Sequence, residues 1–174
     1  MRELADRERI GRFVQLLGRS ARERGRVYLT GGATAVLVGW RATTVDVDLR
    51  LEPEADVLLR SIADLKERLG INVELAAPPD FIPELPAWRE RSPFVVREGL
   101  LDVHHFDPYS QALSKIERGF EQDLSDVAEM VRRGLVDPAL ALELFQAVAP
   151  EIYRYPAIDP RAFQGKVEEF FGRS

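Results

Sequence analysis

The chain predicts an α/β (α+β) fold: a small mixed β-sheet flanked by helices, followed by a helical C-terminal region. Short apolar or alternating runs near 27–30, 44–51, 71–75 and 94–106 have the spacing of strands. Helical spacing precedes them at 3–24 and separates them from about 54 to 69, the order expected when helices cover a sheet. From Tyr109 onward only helical patterns remain.

Ile10, Phe13, Val14 and Leu17 lie on one helical face, so an amphipathic helix fills most of residues 3–24. Val27 to Thr30 reads as a short buried strand, and a glycine pair then opens a short helix over Ala33 to Val38. Residues 44–51 form a second strand. Leu58, Ile62, Leu65 and Leu69 predict a helix from about Glu54, stopped by Gly70. Ile71 to Leu75 alternates as a strand. Pro78, Pro79, Pro83 and Pro86 rule out regular structure over 76–92. An extended loop is expected there, lying across the functional site with Phe81 and Trp88 as apolar anchors.

Phe94–Arg97 and Leu100–Phe106 form a hairpin around Glu98-Gly99. Leu113, Ile116 and Phe120 share a helical face, as do Leu124, Val127, Ala128 and Val131. Asp137-Pro138 starts a further helix, aspartate as N-cap and proline at the first helical position, with Ala141, Leu144, Phe145 and Val148 on its apolar face. A last helix falls near 160–171. The expected division is residues 1–108 as an α/β core with its N-terminal helix, and 109–174 as a helical region packed on it.

A length of 174 residues fits one domain with a small helical extension, and 45% hydrophobic with 30% charged residues is ordinary for a soluble protein. No apolar run approaches the roughly 20 residues of a membrane span. The charged N-terminus does not read as a signal peptide, and without cysteine there is no disulfide framework or thiolate metal site. A cytoplasmic location with no membrane partner is the expectation. The net charge of −5 argues against a nucleic-acid footprint over the whole surface. Residues 1–26 nevertheless carry eight arginines against four acids. Either that segment is a solvated helix with intrahelical ion pairs, or it is a basic surface for RNA or an acidic partner.

The chemistry concentrates in Tyr28-Leu-Thr-Gly-Gly-Ala-Thr34 and Thr44-Val-Asp-Val-Asp-Leu49. In a strand, Asp46 and Asp48 project from one face and Val45, Val47 and Leu49 from the other. Two adjacent carboxylates suit a hard divalent cation, and glycines allow a ligand close to the backbone. Asp102 lies in Leu100-Leu-Asp-Val-His-His-Phe106. If that strand lies beside the Asp46/Asp48 strand, three carboxylates converge and can hold two Mg2+ ions. Alternation puts His104 on the face of Asp102 and His105 on the opposite one, and both histidines are read as structural.

The string Leu29-Thr-Gly-Gly-Ala with Arg41-Ala-Thr-Thr-Val-Asp-Val-Asp-Leu49 resembles the nucleotidyltransferase superfamily, of polymerase-β-like fold. Within it the chain looks most similar to AbiEii-like and related minimal nucleotidyltransferases of bacterial toxin–antitoxin and phage-defence systems. Leu113-Ser-Lys-Ile-Glu-Arg-Gly-Phe-Glu-Gln-Asp-Leu-Ser-Asp126 is similar to that group's helical segment, although Gln122 stands where the family often has arginine. The resemblance spans roughly residues 27–133.

It implies that Gly31 and Gly32 bind triphosphate, with Thr34 and Thr44 among the cofactor contacts. Asp46 and Asp48 would ligate metal, with Asp102 as third carboxylate and base. Lys115 would contact phosphate, and Asp126 would close the far side of the site. Lys115, Gln122 and Asp126 share a face, since eleven residues make almost three turns, on the condition that the helix continues through Gly119. Each residue also has a structural reading: a glycine pair can be only a tight turn, Asp-x-Asp a solvent-facing edge, and Asp123 and Asp126 surface partners of Arg118, Arg132 or Arg133.

The implied function is Mg2+-dependent transfer of a nucleoside monophosphate from a nucleoside triphosphate to an acceptor hydroxyl on tRNA or a protein, in a toxin–antitoxin setting. The alternatives are a nucleotidyltransferase-like binding module without turnover (an antitoxin or regulator), and transfer to a small molecule such as an aminoglycoside.

Overall fold

The computed structural model describes residues 2–172. Contacts divide the chain into two units, one comprising Met1–Ala77 and Ser92–Phe106, the other Pro78–Arg91 and Asp107–Ser174. The proline-rich segment 78–91 belongs to the helical unit.

The first unit runs β1 (Ala5–Asp6), α1 (Arg7–Ser20), β2 (Gly25–Thr30), α2 (Gly32–Val38), β3 (Thr43–Thr44), β4 (Asp46–Glu52), α3 (Asp56–Leu69), β5 (Asn72–Glu74), β6 (Phe94–Glu98) and β7 (Leu101–His105). Five strands form a mixed sheet in the order β5-β4-β2-β7-β6, and β1 pairs separately with β3. The centre strand β2 is antiparallel to β4 and parallel to β7. The edge strand β5 is parallel to β4, and β6 is antiparallel to β7.

The N-terminal helix is shorter than its apolar spacing suggested. Asp6 caps it by accepting from Arg9 N at 2.9 Å, and the preceding residues pair as a strand. Its Ile10, Phe13, Val14 and Leu17 pack with Leu58, Ile62 and Leu65 of α3 over one sheet face made of Val27, Leu29, Val47, Leu49, Leu51, Val73, Leu101 and Val103. At about 1.5–3 kcal/mol per fully buried side chain, this burial outweighs propensity differences of a few tenths along either helix. A close approach fixes α1 against the β6–β7 turn: a Cβ on Gly18 would stand 2.7 Å from the Glu98 Cβ. Strand alternation turns Arg26, Tyr28, Thr30, Asp46, Asp48, Arg50, Glu52, Asn72, Glu74, Asp102 and His104 to the other face.

The second unit contains a 3-10 turn (Pro78–Asp80), α4 (Pro108–Arg118), α5 (Glu121–Arg132), α6 (Pro138–Val148), a 3-10 stretch (Ala149–Arg154) and α7 (Pro160–Phe171). Three of its helices begin the same way, with an aspartate N-cap followed by proline, at Asp107, Asp137 and Asp159. Asp107 accepts from Tyr109 N and Ser110 N, and Arg91 grips the same carboxylate at 2.8 and 3.2 Å. That ion pair ties segment 78–91 to α4. Within the segment Trp88 is an anchor, fully buried with its indole N–H donating to Glu84, whereas Phe81 is exposed.

The helical pattern from Tyr109 breaks at Gly119, which adopts φ +77 and ends α4. Phe120 therefore leaves the apolar face expected for it and is exposed at the start of α5. The buried face of α5 is rotated from the expected one: Asp123, Asp126, Val127 and Met130 are inside and Ala128 is outside.

Candidate functional site

β2 ends at Thr30, and the chain turns through Gly31 and Gly32 into α2. Gly31 has φ +63 and ψ −130, a region essentially restricted to glycine. The turn lies hard against the carboxylate strand. A Cβ on Gly31 would be 3.1 Å from Asp48 Oδ2, and one on Gly32 would be 2.6 Å from the Thr44 Cβ. Thr44 is fixed in turn, because its hydroxyl donates to Asp46 O at 2.9 Å. Gly31, Gly32, Thr44, Asp46 and Asp48 are thus brought together within the first unit.

The β2–β4 register sets Asp48 opposite Thr30, at the turn end of β2. On the outer side, Asp46 pairs with Asn72 and Asp48 with Glu74. Asn72 Nδ2 donates to Asp46 Oδ1 at 2.5 Å and to Glu74 Oε1 at 3.2 Å, holding the first carboxylate in place. Glu74 and Asn72 were not singled out from the sequence. The alternation Asn72-Val73-Glu74 was their signal, and it places both on the face of Asp46 and Asp48. Arg41 opens the segment that leads into the carboxylate strand. Its guanidinium Nη1 would be 3.2 Å from a Cβ on Gly32.

Asp102 does not join this group. Its strand β7 pairs with β2 rather than β4, and Asp102 aligns with Arg26, four residues down β2 from the Thr30 that faces Asp48. Four strand residues are roughly 13 Å. The carboxylate is bound by Arg97 at 2.6 and 3.3 Å, which holds it below the usual carboxylate range. The convergence expected of three carboxylates fails because the centre strand separates the two aspartate strands, and Asp102 enters the sheet from the opposite end.

Thr34 is buried and faces the sheet, its hydroxyl 3.3 Å from Leu29 O and 3.0 Å from His105 Nδ1. Burial, with a smaller contribution from His104, lowers His105 to about 4, so the imidazole is neutral at pH 7. His104 points to the opposite face, 2.9 Å from Ser92 O through Nδ1 and packed against Tyr28 and Phe94.

Lys115 and Asp126 lie in the second unit, where Lys115 Nζ donates to Asp126 Oδ2 at 2.9 Å and stands 3.9 Å from Asp123 Oδ1. Gln122 donates to Asp126 Oδ1 at 3.3 Å, and Arg118 binds Asp123 at 2.5 and 2.9 Å.

The donor set at the β4 edge is all oxygen, which suits a hard cation such as Mg2+. Among the described residues no three or more His, Cys, Asp or Glu side chains are gathered closely enough to hold a metal ion. Mg2+ commonly uses one or two carboxylates and takes its remaining ligands from water and substrate phosphates, a pattern Asp46 and Asp48 can satisfy. No helix among the described residues is long and apolar enough to cross a membrane. Comparisons of the chain with protein-family models, with curated proteins and with solved structures found no match.

Proposed function

We propose that the Gly31–Gly32 turn and the Asp46/Asp48 strand bind a Mg2+–nucleoside triphosphate, and that the chain is a nucleotidyltransferase moving a nucleoside monophosphate to an acceptor hydroxyl. The observation that carries this reading is the side-chain-free turn lying on the carboxylate strand, 3.1 Å from Asp48 Oδ2 to the place a Gly31 Cβ would take. With no side chain at either glycine the turn packs directly on Thr44 and Asp48, so a phosphate chain bound at the turn would lie beside the metal-binding carboxylate.

Asp48 and Asp46 face the same way and supply anionic oxygens, Asn72 orients Asp46, and Thr44 holds the start of the strand against the turn. Mg2+, when bound, would neutralise phosphate charge in the transition state. In the transfer the acceptor oxygen bonds to the α-phosphorus and the bond from that phosphorus to the β-phosphate oxygen breaks. Pyrophosphate leaves, and the hydroxyl proton passes to water or to a carboxylate of the β4 edge.

A second reading, binding without turnover, is favoured by the position of Asp102, whose pairing with Arg97 removes it as the third carboxylate. Both readings are tested by incubating the purified chain with Mg2+ and each labelled triphosphate in the presence of total RNA, proteome and small metabolites. Label in the RNA or protein fraction, lost in the Asp46→Ala/Asp48→Ala variant, supports the transferase. Label confined to the low-mass fraction identifies a small acceptor instead. Saturable triphosphate binding with no transfer establishes a binding module, and no binding of any triphosphate overturns the proposal.

A further inference from the structure

We propose that Arg41 is the cation of this site, contacting the outer phosphates of the bound triphosphate; the inference rests on the nucleotide-binding reading above. After α2 the chain reverses at Gly39, φ +118, and Trp40–Ala42 leads back toward the glycine pair before β3 begins. The reversal brings the Arg41 Nη1 to 3.2 Å from the place a Gly32 Cβ would take, while Asp48 Oδ2 is 3.1 Å from the equivalent point on Gly31. One turn therefore has a carboxylate at its first glycine and a guanidinium at its second. A ligand bound at the turn would have a metal-binding group beside the first glycine and an anion-binding group, next to Thr44, beside the second, which matches a phosphate chain carrying a divalent cation.

The charge balance points the same way. Asp46, Asp48 and Glu74 line one edge of the sheet, and a polyphosphate approaching them needs positive charge beyond a single Mg2+. Arg41 is partly exposed and stands beside the glycine turn itself. Its planar fork matches two phosphate oxygens at once, which an ammonium does not.

The test is equilibrium binding to the full chain, with Mg2+, of a nucleoside triphosphate, the corresponding monophosphate and inorganic tripolyphosphate. Arg41→Ala is expected to weaken triphosphate and tripolyphosphate about 10-fold or more, as for a lost charged hydrogen bond. The monophosphate should change little, and Arg41→Lys should recover part of the loss. A general structural defect would weaken all three ligands alike, so the selective loss separates contact from support. If Arg41→Ala fails to fold, Arg41→Lys carries the same comparison. Should both variants bind triphosphate as the unaltered chain does, while Asp46→Ala/Asp48→Ala does not, the role of Arg41 is overturned and the nucleotide reading stands. If the unaltered chain binds none of the three, both fall.

Discussion

Lys115 Nζ donates to Asp126 Oδ2 at 2.9 Å, joining α4 to α5 across the turn at Gly119. The side chains are 10% and 1% exposed, so this is a buried pair, and Gln122 and Asp123 lie beside it. Breaking a buried pair by removing one partner costs about 3–5 kcal/mol, while replacing both by apolar groups costs far less. Lys115→Met is therefore expected to lower stability by about that amount in urea unfolding, and Lys115→Met/Asp126→Leu to recover most of it. A double variant less stable than the single would show that the pair is not the main interaction there.

The pair also shows what the sequence could and could not say. A separation of eleven residues suggested one face of a continuous helix, yet the two side chains meet because two helices fold back on each other at Gly119. Helical spacing reports which residues point together along one element, and it is silent on how elements pack. Asp102 illustrates the same boundary. The structure puts Asp102 on the sheet face of Asp46 and Asp48, but not beside them, and alternation within a strand carries no information on strand order. Which strand sits beside which is set by contacts distant in sequence, and here β2 lies between. The Gly31–Asp48 group was legible because its members are close along the chain, with only the short helix α2 and the strand β3 between the turn and β4. The alternation of Asn72 and Glu74 was legible, but their place beside Asp46 and Asp48 was not, because it depends on β5 pairing with β4.

Gly32 tests the tightness of the turn against the strand. A methyl group there would overlap Thr44, at 2.6 Å from its Cβ and closer still to its hydroxyl. Neither partner yields easily, since Thr44 is buried and held to Asp46 O. Overpacking of this kind costs about 1–3 kcal/mol. Gly32→Ala is expected to shift the urea midpoint accordingly, and Gly32→Ala/Thr44→Gly to show a favourable coupling in a double-mutant cycle. Additive effects would mean that the contact is relieved elsewhere.

Asp102→Asn separates the two aspartate strands functionally. Asp102 and Arg97 form an exposed pair at the far end of β2, and such pairs contribute about 0–1 kcal/mol. The variant should keep its unfolding midpoint and its triphosphate affinity within about twofold, whereas Asp46→Ala/Asp48→Ala should lose binding. A large loss of affinity in Asp102→Asn would restore Asp102 to the site.

His105 gives the fold a pH dependence of defined sign. Its Nδ1 is 3.0 Å from the Thr34 hydroxyl, which lies within 3.3 Å of Leu29 O, so the imidazole braces the first turn of α2 directly behind the glycine pair. Burial and the neighbouring His104 lower it from 6.5 to about 4. Between those values the unfolded chain takes up a proton that the folded chain does not, so stability is full above pH 6.5 and falls as the pH drops toward 4. Each pKa unit corresponds to about 1.4 kcal/mol, which makes the loss at most about 3.5 kcal/mol. His105→Gln keeps a group able to bond Thr34 but does not titrate. Urea unfolding from pH 7 to pH 4 should therefore fall less steeply for the variant, the difference between the two curves opening below pH 6.5. Parallel curves would place the titrating group elsewhere, because the carboxylates common to both proteins contribute equally to each.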